Sequence, residues 1–329
     1  MTTFTAFRIH QDPSGHRAGP ESLDLEQLGP GEVTVRVEWS AVNYKDALAV
    51  TGRSKILRRS PLIGGIDAAG RIEASTDPRF IAGMPVVVTG SGLSETRDGG
   101  FSPWLRVPAE AVVPLPEGLS TRQAMIIGTA GFTAALAFDR MEHNGQRPEL
   151  GPLLVTGASG GVGSFATALG SRRGYEIAAL TLKPESIAHV ETLGACKVIL
   201  RNGLEMGRRA LEPARFGGVV DTLGGDYLGW ALRCVQPGGN IAAIGMATGS
   251  DFSTSVMPFI LRGVNLLGIN SVEVSRERRI RLWSRLAEDL EPRQLDAICA
   301  GEIDFSQLRE FCVQMLDGHV HGRTLVRVG

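Results

Sequence analysis

The chain has 329 residues, which outgrows one ordinary core and points to two domains. Hydrophobic residues make up 43% and charged residues 21%, as in a globular protein, and a formal net charge of −1 excludes a general attraction to nucleic acid or to an acidic membrane surface. The four cysteines, Cys196, Cys234, Cys299 and Cys312, include no closely spaced pair, which excludes a disulfide framework and a Cys-rich zinc site and fits a reducing cytosol.

Residues 1–17 lack the apolar core of a signal peptide and no apolar run is long enough to span a bilayer, so a cytoplasmic protein is expected. Residues 33–39 alternate as a half-buried strand does, and 86–88 form a short apolar run between Pro85 and Gly90. Segments 62–65 and 112–116 are cut by Pro and Gly, as loops and short strands are. The pattern changes near Thr121. Residues 123–141 carry apolar side chains at helical spacing, interrupted at 128–131. Strands are then predicted at 153–156, 176–182, 197–200, 218–222, 240–245 and 264–269, with helices at 162–173 and 184–193. A helix over 276–290 and a closing strand at 324–328 follow. Alternating strands and helices predict an α/β fold: a Rossmann-like doubly wound parallel sheet, with a second, β-rich domain made from the flanks. The expected division is 1–123 and 270–329 for the β-rich domain and 124–269 for the Rossmann domain.

The most specific local signal is Val155-Thr156-Gly157-Ala158-Ser159-Gly160-Gly161-Val162-Gly163, which follows an apolar strand and opens a helix. Gly160 and Gly163 lack a Cβ, so a pyrophosphate can approach the backbone and the helix can pack close to the sheet. The first-turn N–H groups and the helix dipole then face the anion. The second strand discriminates between cofactors. Sites that prefer NAD place an acid at its tip to hold the ribose 2′-OH. Here the strand ends Thr181-Leu182-Lys183, and Glu185 comes only after Pro184. Thr181 can donate to a 2′-phosphate and Lys183 can neutralise it, with Arg201 as a second cation; NADPH is therefore the expected cofactor. The plain alternative is that Lys183 and Arg201 are solvated surface charges.

Five segments taken together resemble the medium-chain dehydrogenase/reductase superfamily: Asn43-Tyr44-Lys45-Asp46, Gly65-Ile66-Asp67-Ala68-Ala69-Gly70, Ile126-Ile127-Gly128-Thr129-Ala130-Gly131-Phe132-Thr133, Val155 to Gly163, and Val256-Met257-Pro258-Phe259-Ile260-Leu261-Arg262. Within it they are similar to the zinc-free, quinone-oxidoreductase-like branch that contains acryloyl-CoA reductases. The resemblance covers nearly the whole chain. It implies a GroES-like catalytic domain, a Rossmann domain with a cleft between the two, and a homodimer joined through the strand at 264–269. It implies NADPH contacts at Tyr44, Ser159, Gly160, Gly161, Val162, Thr181, Leu182, Lys183, Arg201, Met246, Ile260 and Ser271. Close relatives look like Ser-Gly-Arg where this chain has Thr181-Leu182-Lys183, which keeps hydroxyl and cation but not the bidentate fork of arginine. Metal-dependent relatives hold zinc through a Cys and a Gly-His-Glu triplet. Neither is present, since 43–46 has no Cys and Gly65-Ile66-Asp67 replaces the triplet. His319 and His321 have no third ligand nearby, so no metal is expected.

Without a Lewis acid to hold an alkoxide, a double bond conjugated to a carbonyl is the easier target. Hydride adds at the β-carbon, and donors must face the oxygen that becomes negative. Tyr44 is the expected donor, with Asn43, Asp46 and Arg323 as the other candidate catalytic residues; Asp46 and Asp67 are read mainly as holders of loops, and Tyr44 has a packing role as its alternative. The expected substrate is a small enoyl thioester, acryloyl-CoA first, or an enone. A quinone or general enone reductase and a non-catalytic NADPH-binding protein are the competing readings. Arg53, Lys55, Arg58 and Arg59 form a basic stretch that either meets CoA phosphates or is a solvated charge run.

Overall fold

Strands dominate the first third of the chain, and Pro and Gly mark several of the loops between them. In order they are β1 (Thr3–Asp12), β2 (Gly15–Asp24), β3 (Val33–Ala41), α1 (Tyr44–Thr51), β4 (Leu62–Ile63), β5 (Asp67–Ser75), β6 (Pro85–Thr89), β7 (Trp104–Val107), β8 (Val113–Pro114) and α2 (Thr121–His143). Strands and helices then alternate: β9 (Leu153–Thr156), α3 (Gly161–Arg172), β10 (Ile177–Thr181), α4 (Ile187–Thr192), β11 (Ala195–Leu200), β12 (Phe216–Asp221), α5 (Gly225–Cys234), β13 (Val235–Ala243), α6 (Met257–Arg262) and β14 (Asn265–Gly268). The last elements are α7 (Arg276–Asp289), α8 (Pro292–Ile298), β15 (Cys299–Ile303), α9 (Leu308–Leu316) and β16 (Arg323–Arg327). The computed structural model describes residues 3–13, 15–290 and 292–328.

The chain divides into two compact units. One comprises Met1–Thr129, Ser271–Glu288 and Cys299–Gly329; the other comprises Ala130–Asn270 and Asp289–Ile298. The stretch Asp289–Ile298, which the sequence groups with the C-terminal return, belongs to the second unit.

The first unit is the β-rich, GroES-like one. Among the described residues it carries a sheet in the order β2-β1-β4 and a larger one in the order β15-β16-β3-β5-β6-β8, with β7 also on β3. Strand β3 is the organiser. It pairs antiparallel with β5 on one side, while Val33–Arg36 pair with β7 and Trp39–Ala41 with β16. Val33, Val35 and Val37 of β3 are buried in the core with Phe7, Ile63, Phe101 and Leu105.

The second unit is a parallel sheet in the order β11-β10-β9-β12-β13-β14. Numbered within the sheet this is 3-2-1-4-5-6, the doubly wound order, whose switch point lies between β9 and β12. Burial explains the strands. Every residue of β9, β10 and β12 is buried, as central parallel strands covered on both faces must be, whereas the edge strands β11 and β14 are largely half-exposed. No helix among the described residues is long and apolar enough to cross a membrane.

Candidate active site

In the second unit the glycine turn sits where the strand order reverses. Helix α3 starts at Gly161 with Gly160 as its N-cap, so the amides of the first helical turn lack intrahelical partners and point out of the helix. An added Cβ on Gly163 would meet the Gly157 carbonyl oxygen at 2.2 Å, so only glycine lets the helix lie this close to the preceding turn. At Gly160 the nearest atom would be 3.4 Å away, which leaves the approach to the backbone open. The cradle fits an anionic diphosphate.

The tip of the second strand lies behind this turn. The hydroxyls of Ser159 and Thr181 are 3.1 Å apart, and the Lys183 amide donates to the Thr181 hydroxyl at 3.2 Å. The Arg201 amide donates to the Thr181 carbonyl, so both candidate cations leave the chain at one place. Thr181 is fully buried with its hydroxyl engaged, which suits it to fixing Ser159 and the Lys183 backbone; Lys183 is half-buried and Arg201 exposed. Partial burial lowers the pKa of Lys183, with Glu185 opposing, so a bound anion there restores what desolvation removes. Leu182 is half-buried between them, and Met246 and Ile260 are exposed apolar side chains of the same unit.

In the first unit Asn43, Asp46 and Arg323 converge on Asp67. Asn43 and Asp46 form a capping box on α1, in which the Asn43 amide donates to Asp46 Oδ2 at 2.9 Å. Asp46 Oδ1 accepts from the Ile66 amide at 2.9 Å. Asn43 Nδ2 donates to Asp67 Oδ2 at 2.8 Å, while Asn43 Oδ1 accepts from Arg323 Nη1 at 2.9 Å. Asp67 also accepts the amide and hydroxyl of Thr129 and pairs with Arg323 Nη2 at 3.3 Å. The guanidinium completes its bonds on the carbonyls of Ile126 and Val42. Arg323 is 3% exposed and Asp46 1%. Burial pushes the Asp46 carboxyl up to about 7, with the charge of Asp67 adding and hydrogen bonds from Asn43 and Ile66 opposing. Burial also lowers the pKa of Arg323, against the pull of Asp67 and Asp46.

Tyr44 begins α1 directly after this cluster and is 41% exposed. The cluster therefore fixes the backbone from which its phenol projects. Ser271 is half-buried, and its carbonyl accepts from Arg279 Nη2 at 3.0 Å. The basic stretch separates into two pairs. Arg53 pairs with Asp317 at 2.8 Å and Arg59 donates to the Thr96 carbonyl, while Lys55 and Arg58 line a pocket with Lys45, Ile56, Leu57 and Glu95.

Sequence reasoning missed three positions. Arg279 is buried on the inner face of α7 and bonds Thr89, Ser271 and Val272; burial holds its pKa near 10. Its place at the start of the buried stripe Arg279, Leu282, Trp283, Leu286 was the available signal. Asp221 ends β12 buried, accepting from Thr156 Oγ1 at 2.6 Å and the Gly224 amide at 2.9 Å, and so ties the two strands at the switch point. A carboxylate closing an apolar run was its sign. Thr129, inside the predicted helix interruption, supplies two donors to Asp67.

Two families match the chain: the alcohol dehydrogenase GroES-like domain over residues 29–117 and the zinc-binding dehydrogenases over 161–288. An acrylyl-CoA reductase, AcuI, of Ruegeria pomeroyi is 44% identical over 99% of this chain and 99% of its own. The yhdH oxidoreductase of Salmonella enterica, solved in complex with NADP, is 43% identical with a TM-score of 0.95, over 99% of this chain and 100% of its own. The putative quinone oxidoreductase YhfP of Bacillus subtilis is 40% identical over 99% of both chains. Its structure with NAD bound has a TM-score of 0.95, over 99% of this chain and 100% of that one. The chain belongs to the medium-chain dehydrogenase/reductase superfamily, in the acryloyl-CoA reductase family of its quinone-oxidoreductase-like branch. The zinc in the name of the second matching family does not fit the residues here. Among the described residues no three His, Cys, Asp or Glu side chains gather as a metal site, and the Asp67 carboxylate is filled by Thr129, Asn43 and Arg323.

Proposed function

We propose that the chain is an NADPH-dependent reductase of an activated carbon–carbon double bond, converting acryloyl-CoA to propanoyl-CoA. The observation that carries the cofactor half is the open backbone at Gly160, at the amino end of α3 and at the sheet's switch point. Its extent of identity to the Ruegeria pomeroyi enzyme supports the substrate half.

In this reading the amides of Gly161 and Val162 receive the diphosphate, while Gly160, whose own amide is held by the Gly157 carbonyl at 3.0 Å, leaves room for its approach. Lys183 and Arg201 meet the 2′-phosphate, and Ser159 and Thr181 hold that strand tip in place. The remaining contacts fall to Tyr44, Leu182, Met246, Ile260 and Ser271. When bound, the cofactor supplies the hydride for the β-carbon. Tyr44 donates to the thioester oxygen as negative charge develops there. Asn43, Asp46 and Arg323, whose bonds are made within the chain, act by holding the start of α1. The α-carbon takes its proton from water. A second copy of this chain pairs along the sheet-edge strand β14, where Leu266 is exposed. Free thiols at all four cysteines support a reducing, cytosolic setting.

Steady-state rates with NADPH and acryloyl-CoA, crotonyl-CoA or 1,4-benzoquinone test the reading. Acryloyl-CoA should have the highest kcat/KM. The Bacillus subtilis relative favours a second reading, quinone reduction, and equal or faster turnover of benzoquinone would establish that instead. Binding of NADPH without oxidation by any enone or thioester would leave a binding protein.

A further inference from the structure

We infer that the pocket between the start of α1 and the loop after it binds the phosphate-bearing adenosine end of coenzyme A, an inference that rests on the thioester reading above. The pocket has a volume of about 490 Å³ and is lined by Lys45, Lys55, Ile56, Leu57, Arg58 and Glu95. Three of its six lining residues are cations and one is an acid, so it carries a surplus of two positive charges. Glu95 pairs with Lys45, whereas among the described residues no ion pair or side-chain hydrogen bond engages Lys55 or Arg58. Two exposed cations without an acid, facing one concavity, are poised for an anion.

The loop that carries Glu95 is held against the Arg58 backbone. The Arg58 amide donates to the Glu95 carbonyl at 2.7 Å, and the Ser94 amide to the Arg97 carbonyl at 2.8 Å. Ser91 and Ser94 adopt positive φ, and the Ser94 hydroxyl is buried without a partner. Such strain in one short loop persists only where surrounding bonds hold it, and it is concentrated at ligand sites. Ile56 and Leu57 add an apolar face that suits a purine. Lys45 follows Tyr44 on α1, so the pocket begins one residue from the proposed oxygen donor. These cations lie in the first unit, apart in sequence from Lys183 and Arg201, which the cofactor phosphate claims.

The test compares acryloyl-CoA with acryloyl-pantetheine, which has the same reacting end and no nucleotide. In the Lys55→Ala, Arg58→Ala double variant, KM for acryloyl-CoA should rise about tenfold or more. The kcat, KM for NADPH and KM for acryloyl-pantetheine should stay within about twofold. Glu95→Gln should lower KM for acryloyl-CoA by releasing Lys45. Equal KM values for both thioesters in the wild type, or a rise for both in the double variant, would overturn the pocket assignment and leave the reductase reading standing. A wild type that reduces no thioester would sink the acryloyl-CoA reading. The pocket is then judged by calorimetry with adenosine 3′,5′-bisphosphate on protein saturated with NADP: uptake lost in the double variant sustains it, and no uptake, or uptake unchanged in the double variant, overturns it.

Discussion

One guanidinium and two carboxylates share the buried site behind Tyr44, and the ion pair of Arg323 is with Asp67. Asp46 is left as the group that resists charging, raised from an ordinary 3.8 to about 7. An acid whose folded pKa exceeds its unfolded one binds a proton on folding between the two values. Stability therefore falls as pH rises from 3.8 towards about 7, and the penalty is complete above that. Asp46→Asn should flatten this slope, read as urea midpoints between about pH 5 and pH 7. An unchanged slope would mean that another group titrates. At the other site, Lys183→Ala should raise the dissociation constant for NADPH about tenfold, near 1.4 kcal/mol, with NADH altered less than about twofold. Equal effects on the two cofactors, measured by calorimetry, would remove Lys183 as the reader of the 2′-phosphate. Asn43 and Asp46 stood out in the sequence through a segment that carries the family resemblance, and Arg323 only as a further candidate outside those segments. Their meeting point was hidden because Arg323 lies 256 residues from Asp67 in the chain.

At the scale of elements, the βαβ half was legible because its strands are buried on both faces and its breaks are marked by glycine. The α2 interruption was legible for the same reason. Gly128 takes φ +46, and a Cβ there would meet Asp67 Oδ2 at 2.4 Å and Arg323 Nη2 at 2.7 Å. The bend and the ion pair thus need the same missing side chain. Gly128→Ala should cost at least about 2 kcal/mol in chemical denaturation, while Gly301→Ala, which meets nothing within 4 Å, should cost far less. Equal losses would show that the bend tolerates a side chain. The first hairpin was not legible. Strand β2, Gly15–Asp24, contains Pro20 and few apolar residues, and it exists through its ten-residue register with β1 rather than through its own pattern. Helices α5 and α9 were passed over too, although Leu308 and Cys312 are buried at the four-residue spacing of an inward face. Strand β13 begins earlier than expected because Pro237, Gly238 and Gly239 disguise its first half.

At the scale of the whole molecule, the filled Asp67 carboxylate predicts that exhaustive chelation leaves reductase activity unchanged. A loss restored by zinc would contradict the metal-free assignment. Sheet pairing along β14 predicts a dimer by light scattering, and Leu266→Arg should shift it towards monomer; a monomeric wild type would remove the pairing. The layout of β3 has a further consequence, for synthesis. Its neighbour β16 brings Arg323, which bonds the Val42 carbonyl 281 residues earlier in the chain. The Rossmann-like unit is nearly one contiguous stretch, Ala130–Asn270, and can close while the ribosome is still working. The β-rich unit cannot. From its first emergence until β16 is made it waits with a strand edge unpaired and Asp67 lacking its counter-charge, so a nascent chain stalled before Arg323 is the form most in need of a chaperone.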